Sequence, residues 1–339
     1  YTTGVANPYL LLEPSRTNFT DSSEYAGLWA GINANITTTN NATTSPEGVD
    51  NAVKLEGLTT SSSNQIVNFG STILNGVSVI GKTYTASVYL KPVNPSDVGD
   101  DITLSIQRNS GDYEGLNLIF EIDSADWKRY DLTYAFTGAG AGDQVGVLFK
   151  ILRSDTTIDD IYVYGVQLEE GSYPTSYIPT YSVSATRAAD NCSKTNASDV
   201  IGQTEGTMFL DFVYNGKSNI TADNLNLALG TWPSNIITIG QYNATLYARI
   251  YASSVINFFQ TFGVMTIGQR YKCAIAYANN DAVFYVNGAL EGSDTSVIVP
   301  AVSSVSLNRG VYENSKQINQ ALLFKTRLSN EELATLTTI

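Results

Sequence analysis

Carboxylates are the first residues of this chain to consider as chemical groups, because no histidine occurs among its 339 residues. Without imidazole, Ser-His-Asp, Cys-His and HExxH chemistry are excluded, and so is the commonest metal ligand. Glu121, Asp123 and Asp126 form the only paired-carboxylate motif. Two carboxylates on one strand face, about 5 Å apart, are what retaining glycoside hydrolysis uses. Two further acid clusters, Asp97, Asp100 and Asp101, and Asp155, Asp159 and Asp160, could supply hard oxygen ligands to a structural calcium, although neither has EF-hand spacing. Sugar recognition instead needs a flat aromatic face with a few fixed polar groups. Trp29, Trp127 and Trp232 are the largest such faces. Trp127 opens a strand and reads as core, whereas Trp232 sits in the loop sequence GTWPSN and reads as exposed. The ligand-binding candidates are therefore Trp232, Tyr242, Tyr247 and Tyr251, with Asn308, Arg309 and Tyr312 of NRGVYEN. The competing reading is that these tyrosines cover sheet faces or a subunit interface.

Strands must position these residues. Charged residues make up only 15% of the chain, so Thr, Ser and Asn carry its polarity, and 21 Tyr and 12 Phe suit pleated surfaces. Alternation of period two recurs: Tyr84, Ala86, Val88 and Leu90; Ile102, Leu104 and Ile106; Tyr130, Leu132, Tyr134 and Phe136. Further runs at 208–214, 271–277 and 282–286 carry sheet nearly to the end, and Asn287-Gly288 is a strong hairpin signal. Ser329 with Glu332, flanked by Leu328 and Leu333, predicts a short helix from Asn330. Between Gly171 and Asn196, prolines and hydroxyl residues replace alternation, which reads as a connector between two domains.

The length accommodates two cores. A net charge of -13 disfavours nucleic acid and anionic membrane as partners. No apolar run approaches the roughly 18 residues of a spanning helix, so membrane insertion is not expected. The chain starts at Tyr1, as a processed protein or a piece of a longer one would. Cys192 and Cys273 leave a single disulfide open, although Cys273 alternates with Tyr271 and Ile275 as a buried strand residue would.

The segments LLLEPSRT from Leu10, SPEGVDNAVKL from Ser45, GKTYTASVYLK from Gly81, DWKRYDLTYAF from Asp126 and VQLEEGSYPTSYIPT from Val166 resemble carbohydrate-binding-module-like jelly rolls of bacteriophage tail and fibre proteins. VFYVNGAL from Val283 and LLFKTRLSNEELATL from Leu322 resemble a concanavalin A or laminin G-like lectin domain. The resemblance implies an all-β chain of two tandem antiparallel sandwiches: a jelly roll at 1–183, a connector at 184–200 and a lectin-like sandwich at 201–339. It implies a non-enzymatic, extracellular, virion-surface fibre or attachment protein with glycan or cell-surface receptor and other virion proteins as partners. A homotrimer is expected on the same ground, and sandwich modules of this kind often carry a structural calcium. A tandem carbohydrate-binding region of a secreted glycan-degrading enzyme and a bacterial surface adhesin are the alternatives. Glu121 to Asp126 is similar to the E-x-D-x-x-E strand of laminarinase-type hydrolases, but Asp126 is one methylene shorter than the expected Glu and falls in a turn before Trp127.

Overall fold

The computed structural model describes residues 10–61, 63–71, 79–108, 114–137, 147–190, 192–216, 223–309 and 316–339. It is all-β, with antiparallel sheets and one C-terminal helix. The chain divides into two compact units: Arg16–Arg187, and Ala188–Ile339 together with Tyr1–Ser15.

The first unit packs two five-stranded sheets. One runs in the order Lys128–Ala135, Thr83–Pro92, Ile161–Glu170, Asp50–Glu56, Thr37–Thr44; the other Gly31–Ile32, Gln65–Ser71, Val147–Leu152, Asp101–Arg108, Gly115–Glu121. Alternation decides what each sheet buries. Tyr84, Ala86, Val88 and Leu90 face inward against Ile102, Leu104 and Ile106 of the opposite sheet, and Val53, Val163 and Phe149 complete the core. Tyr130, Leu132 and Phe136 join it as their spacing requires.

The second unit packs two six-stranded sheets. The first has the order Leu10–Leu12, Lys316–Phe324, Glu205–Tyr214, Arg270–Ala278, Asp281–Val286, Ala289–Asp294; the second Cys192–Lys194, Val305–Arg309, Asp223–Thr231, Asn235–Tyr242, Thr245–Ala252, Val255–Val264. Asn287 (φ 51°) and Gly288 (φ 85°) make the hairpin turn expected of them. Helix Asn330–Thr337 begins where its capping box places it, the Ser329 side chain accepting from the Glu332 N–H and Glu332 reaching back. Leu328 and Leu333 pack into one apolar cluster beneath it.

The observed units depart from the expected 1–183, 184–200 and 201–339 division at both edges. Strand Leu10–Leu12 pairs with Lys316–Phe324, and Leu12 lies in the second unit's core, so the N-terminal segment belongs there. The 184–200 stretch contains two short strands rather than a free linker: Ala185–Arg187 pairs with Arg16–Asn18 in the first unit, and Cys192–Lys194 with Val305–Arg309 in the second. The proline-rich stretch ahead of it packs on the first unit through hydrogen bonds. Thr175 donates to Glu169, Ile178 N–H donates to Gln167 Oε1 at 2.7 Å, and Thr180 N–H donates to Ser23 at 2.8 Å. Hydroxyl-rich backbone without apolar alternation can be buried when every polar group finds such a partner. Both cysteines are free thiols: Cys192 is exposed and Cys273 buried.

Candidate functional site

In Thr245–Ala252 the sequence T-L-Y-A-R-I-Y-A turns Leu246, Ala248 and Ile250 into the second unit's core. Tyr247, Arg249 and Tyr251 therefore project together from the opposite face. Trp232, on the loop joining the two preceding strands, completes a ring of three aromatics around one guanidinium. Arg249 Cζ lies 4.4 Å from the Trp232 ring centroid, 4.7 Å from Tyr247 and 5.2 Å from Tyr251. Trp232 and Tyr251 meet edge to face at 4.9 Å, and Phe259 extends the surface from Tyr247 at 5.7 Å.

Arg249 is only 7% exposed, and its Nη2 donates to Asp223 at 3.2 Å and to the Tyr247 hydroxyl at 3.1 Å. A buried guanidinium against aromatic faces and a carboxylate is a rigid, internally neutralised centre. Burial pushes the Tyr247 hydroxyl well above the ordinary tyrosine range, with Arg249 opposing that shift, so the phenol stays protonated. Around this centre the surface is open: Trp232 is 41% exposed, Phe259 52%, and the Asp223 side chain 38%. Tyr242, 49% exposed, stands directly across the ladder from Asp223.

Gly240 is built into this geometry. It faces Tyr247 in register, and a Cβ there would meet the Tyr247 ring at 2.5 Å. Gly240→Ala must push that ring off its position, so we expect a loss of about 1–3 kcal/mol in denaturant unfolding. Intact stability would show that the ring is free to move.

Four of the seven candidate binding residues, Trp232, Tyr242, Tyr247 and Tyr251, thus share one sheet face. Asn308 and Arg309 end strand Val305–Arg309, but their side chains, like Tyr312, lie outside the described residues. Sequence reasoning passed over Arg249, Asp223 and Phe259. Alternation in phase with Tyr247 and Tyr251 places Arg249 on their face but does not by itself single it out.

The carboxylate motif lies elsewhere, in the first unit. Glu121 and Asp123 are exposed on either side of the buried Ile122 and line an open cleft of about 490 Å³ with Phe120, Lys128, Tyr130 and Asp131. Asp123 is ion-paired to Lys128 and accepts from the Tyr130 hydroxyl at 3.2 Å. The Lys128 contact, chiefly, holds its carboxyl below the usual range. Asp126 sits in the turn, its N–H bonded to Ser124.

The acid clusters act as loop staples. Asp159 accepts from Thr59 N–H at 3.0 Å and Asp160 from Gly57 N–H at 3.1 Å. Asp155 accepts from Ser154, Asp97 from Asn94 and Ser96, and Asp100 from Thr157, while the Asp101 N–H donates to Thr157. Among the described residues no three acidic or thiol side chains converge on a point that could hold a metal ion. Trp127 also departs from expectation. It is half-buried and outside the core, with its indole N–H donating to Thr44 O at 2.9 Å.

No family model matches the chain, and no curated protein does. Among solved structures it is similar to the native heptameric SAP-like pentraxin from Limulus polyphemus, at 12% identity and TM-score 0.30, covering 39% of this chain and 68% of that one. The binding domain of Botulinum neurotoxin DC, solved in complex with rat synaptotagmin II, matches at 11% identity and TM-score 0.38, over 45% of this chain and 40% of that one. The Ruminococcus gnavus IT-sialidase CBM40 matches at 14% identity and TM-score 0.35, over 44% and 99%. These are distant likenesses between sandwich folds and assign no ligand.

Proposed function

We propose that the chain is a non-enzymatic glycan-binding protein, and that the Trp232–Arg249 face of the second unit takes an uncharged saccharide. The observation that carries this reading is the aromatic ring around a fixed, neutralised guanidinium, with Trp232 and Asp223 left open to solvent. A pyranose C–H face stacks on an exposed indole, and a held carboxylate accepts its hydroxyls. Because Arg249 is already neutralised by Asp223, the centre offers no net charge to an acidic ligand. The experiment is a glycan array run with the full chain, followed by Trp232→Ala. Loss of the indole should weaken every array-positive neutral sugar by at least about fivefold, since stacking of this kind contributes about 1 kcal/mol or more. Unchanged binding in the variant would remove the site.

The non-enzymatic part is supported by Asp123, whose carboxylate is committed to Lys128 and Tyr130 and so is poorly placed to act as a nucleophile. Incubation with β-glucans should release no reducing sugar; release that disappears in Glu121→Gln would contradict the proposal. Placement on a virion surface as a trimeric fibre or attachment protein is our finer reading, supported by the sequence resemblance. A secreted enzyme's binding region or a bacterial adhesin would use the same face.

A further inference from the structure

We propose a second saccharide platform, on the outer face of the Lys128–Ala135 to Thr37–Thr44 sheet of the first unit, selective for a sugar bearing a carboxylate. This site is independent of the Trp232 face.

The outer face of this sheet is covered over only half its length. Segment 172–181 lies over Gln167 and Glu169, with Thr175 hydrogen-bonded to Glu169 and Gln167 reaching the Ile178 N–H, and it closes against Tyr164 through Tyr177, ring to ring at 5.2 Å. Beyond Tyr177 the face carries aromatics and cations. Strand register sets two rows across it. Arg129, Tyr89 and Tyr164 stand side by side, and in the next row Tyr162 stands between Lys91 and Lys54. Trp127 leans over both rows, 6.5 Å from Tyr162 and 6.4 Å from Tyr164. Gly165, at φ +62°, follows Tyr164 at the bulge in its strand, and a Cβ there would meet the Tyr89 ring at 3.1 Å, so the chain keeps these rings close by omitting one.

The rings are half-exposed apart from Tyr164, and none belongs to the hydrophobic core. Charge then selects the ligand. Lys54 is paired with Glu56 at 2.7 Å, and Arg129 is held by Thr175 O and Ser87 Oγ at 2.6 and 2.8 Å. The Lys91 ammonium has no hydrogen-bond or ion-pair partner among the described residues. Among the acids of this region, Glu24 accepts from Tyr177 at 2.6 Å and from Asn51 at 3.0 Å, and the exposed Asp131, two residues along from Arg129, balances that guanidinium. In a chain of net charge -13, an aromatic surface that keeps the Lys91 ammonium unpaired beside its rings fits a sugar ring carrying a carboxylate.

The test uses the full chain carrying Trp232→Ala, which silences the first face, titrated by calorimetry with hexasaccharides of hyaluronan, alginate and polygalacturonate and with neutral cellohexaose. At least one acidic hexasaccharide should bind at least tenfold tighter than cellohexaose, with an affinity that falls as salt rises. Lys91→Glu should abolish that preference; since the Lys91 ammonium has no partner to lose, this variant should fold normally. Trp127→Phe should weaken the same sugar severalfold. Equal affinity for acidic and neutral sugars, binding of none of the three acidic probes, or an unchanged preference in Lys91→Glu would overturn the proposal.

Discussion

Leu12→Ala should destabilise the second unit by about 2–5 kcal/mol while leaving the first unit intact, the range that large-to-small substitutions in cores produce. Leu12 lies 304 residues (316 − 12) before Lys316, its partner across the ladder, yet only 3% of its surface is exposed. Its strand is three residues long, so most of what it contributes comes from this one side chain and from closing the edge of Lys316–Phe324. Hydrogen exchange read peptide by peptide separates the units. Protection should fall across 205–214 and 316–324 and stay unchanged across 83–92 and 161–170. Loss of protection in the first unit would show that the N-terminal segment had been assigned to the wrong body.

A second large effect should appear with pH. Lys316 is fully buried, and burial lowers its pKa from 10.5 to about 7. The unfolded chain keeps this proton up to about pH 10.5, whereas the folded chain releases it near 7. Between those values the unfolded state binds more protons, so the Lys316 contribution makes stability rise with pH, by up to about 1.4 kcal/mol per unit. Below pH 7 both states are protonated, and the cost of burying the charge is constant. Lys316→Met should therefore be more stable than the parent at pH 7, and the gap between the two should shrink as pH rises toward 10.5. A gap independent of pH between 7 and 10 would mean that the buried amine keeps its proton throughout. Taking the difference between the two proteins cancels the tyrosines that titrate at the upper end.

Both effects concern the pairing of Leu10–Leu12 with Lys316–Phe324, which no local pattern announces. LLL at Leu10 has no alternation, and a three-residue pairing is chosen by its partner rather than by propensity. Where the pattern was local, the sequence was readable. Period-two runs placed Tyr84 to Leu90 and Ile102 to Ile106 in a shared core, and turn chemistry and capping placed Asn287-Gly288 and Ser329. The 171–196 stretch read as a connector because the burial of its first part runs through hydroxyl and carboxylate hydrogen bonds, which leave no hydrophobic period. Trp127 was misread for a related reason: aromatics that open strands are usually core, but here the ring lies on the outer face. At the candidate site the tyrosines were legible from composition. Arg249 was not, because a single cation flanked by alternating tyrosines looks like an ordinary solvated strand residue until the loop brings Trp232 over it.

Saccharide binding at that face is tested most directly by titrating isotope-labelled full-length chain with its strongest array-positive neutral oligosaccharide and following the three indole N–H and the arginine Nε–H resonances. The Trp232 indole and the Arg249 Nε–H should shift together and saturate, with Trp29 and Trp127 unmoved. Saturable binding that leaves Trp232 and Arg249 in place, or no neutral sugar that binds at all, would contradict it.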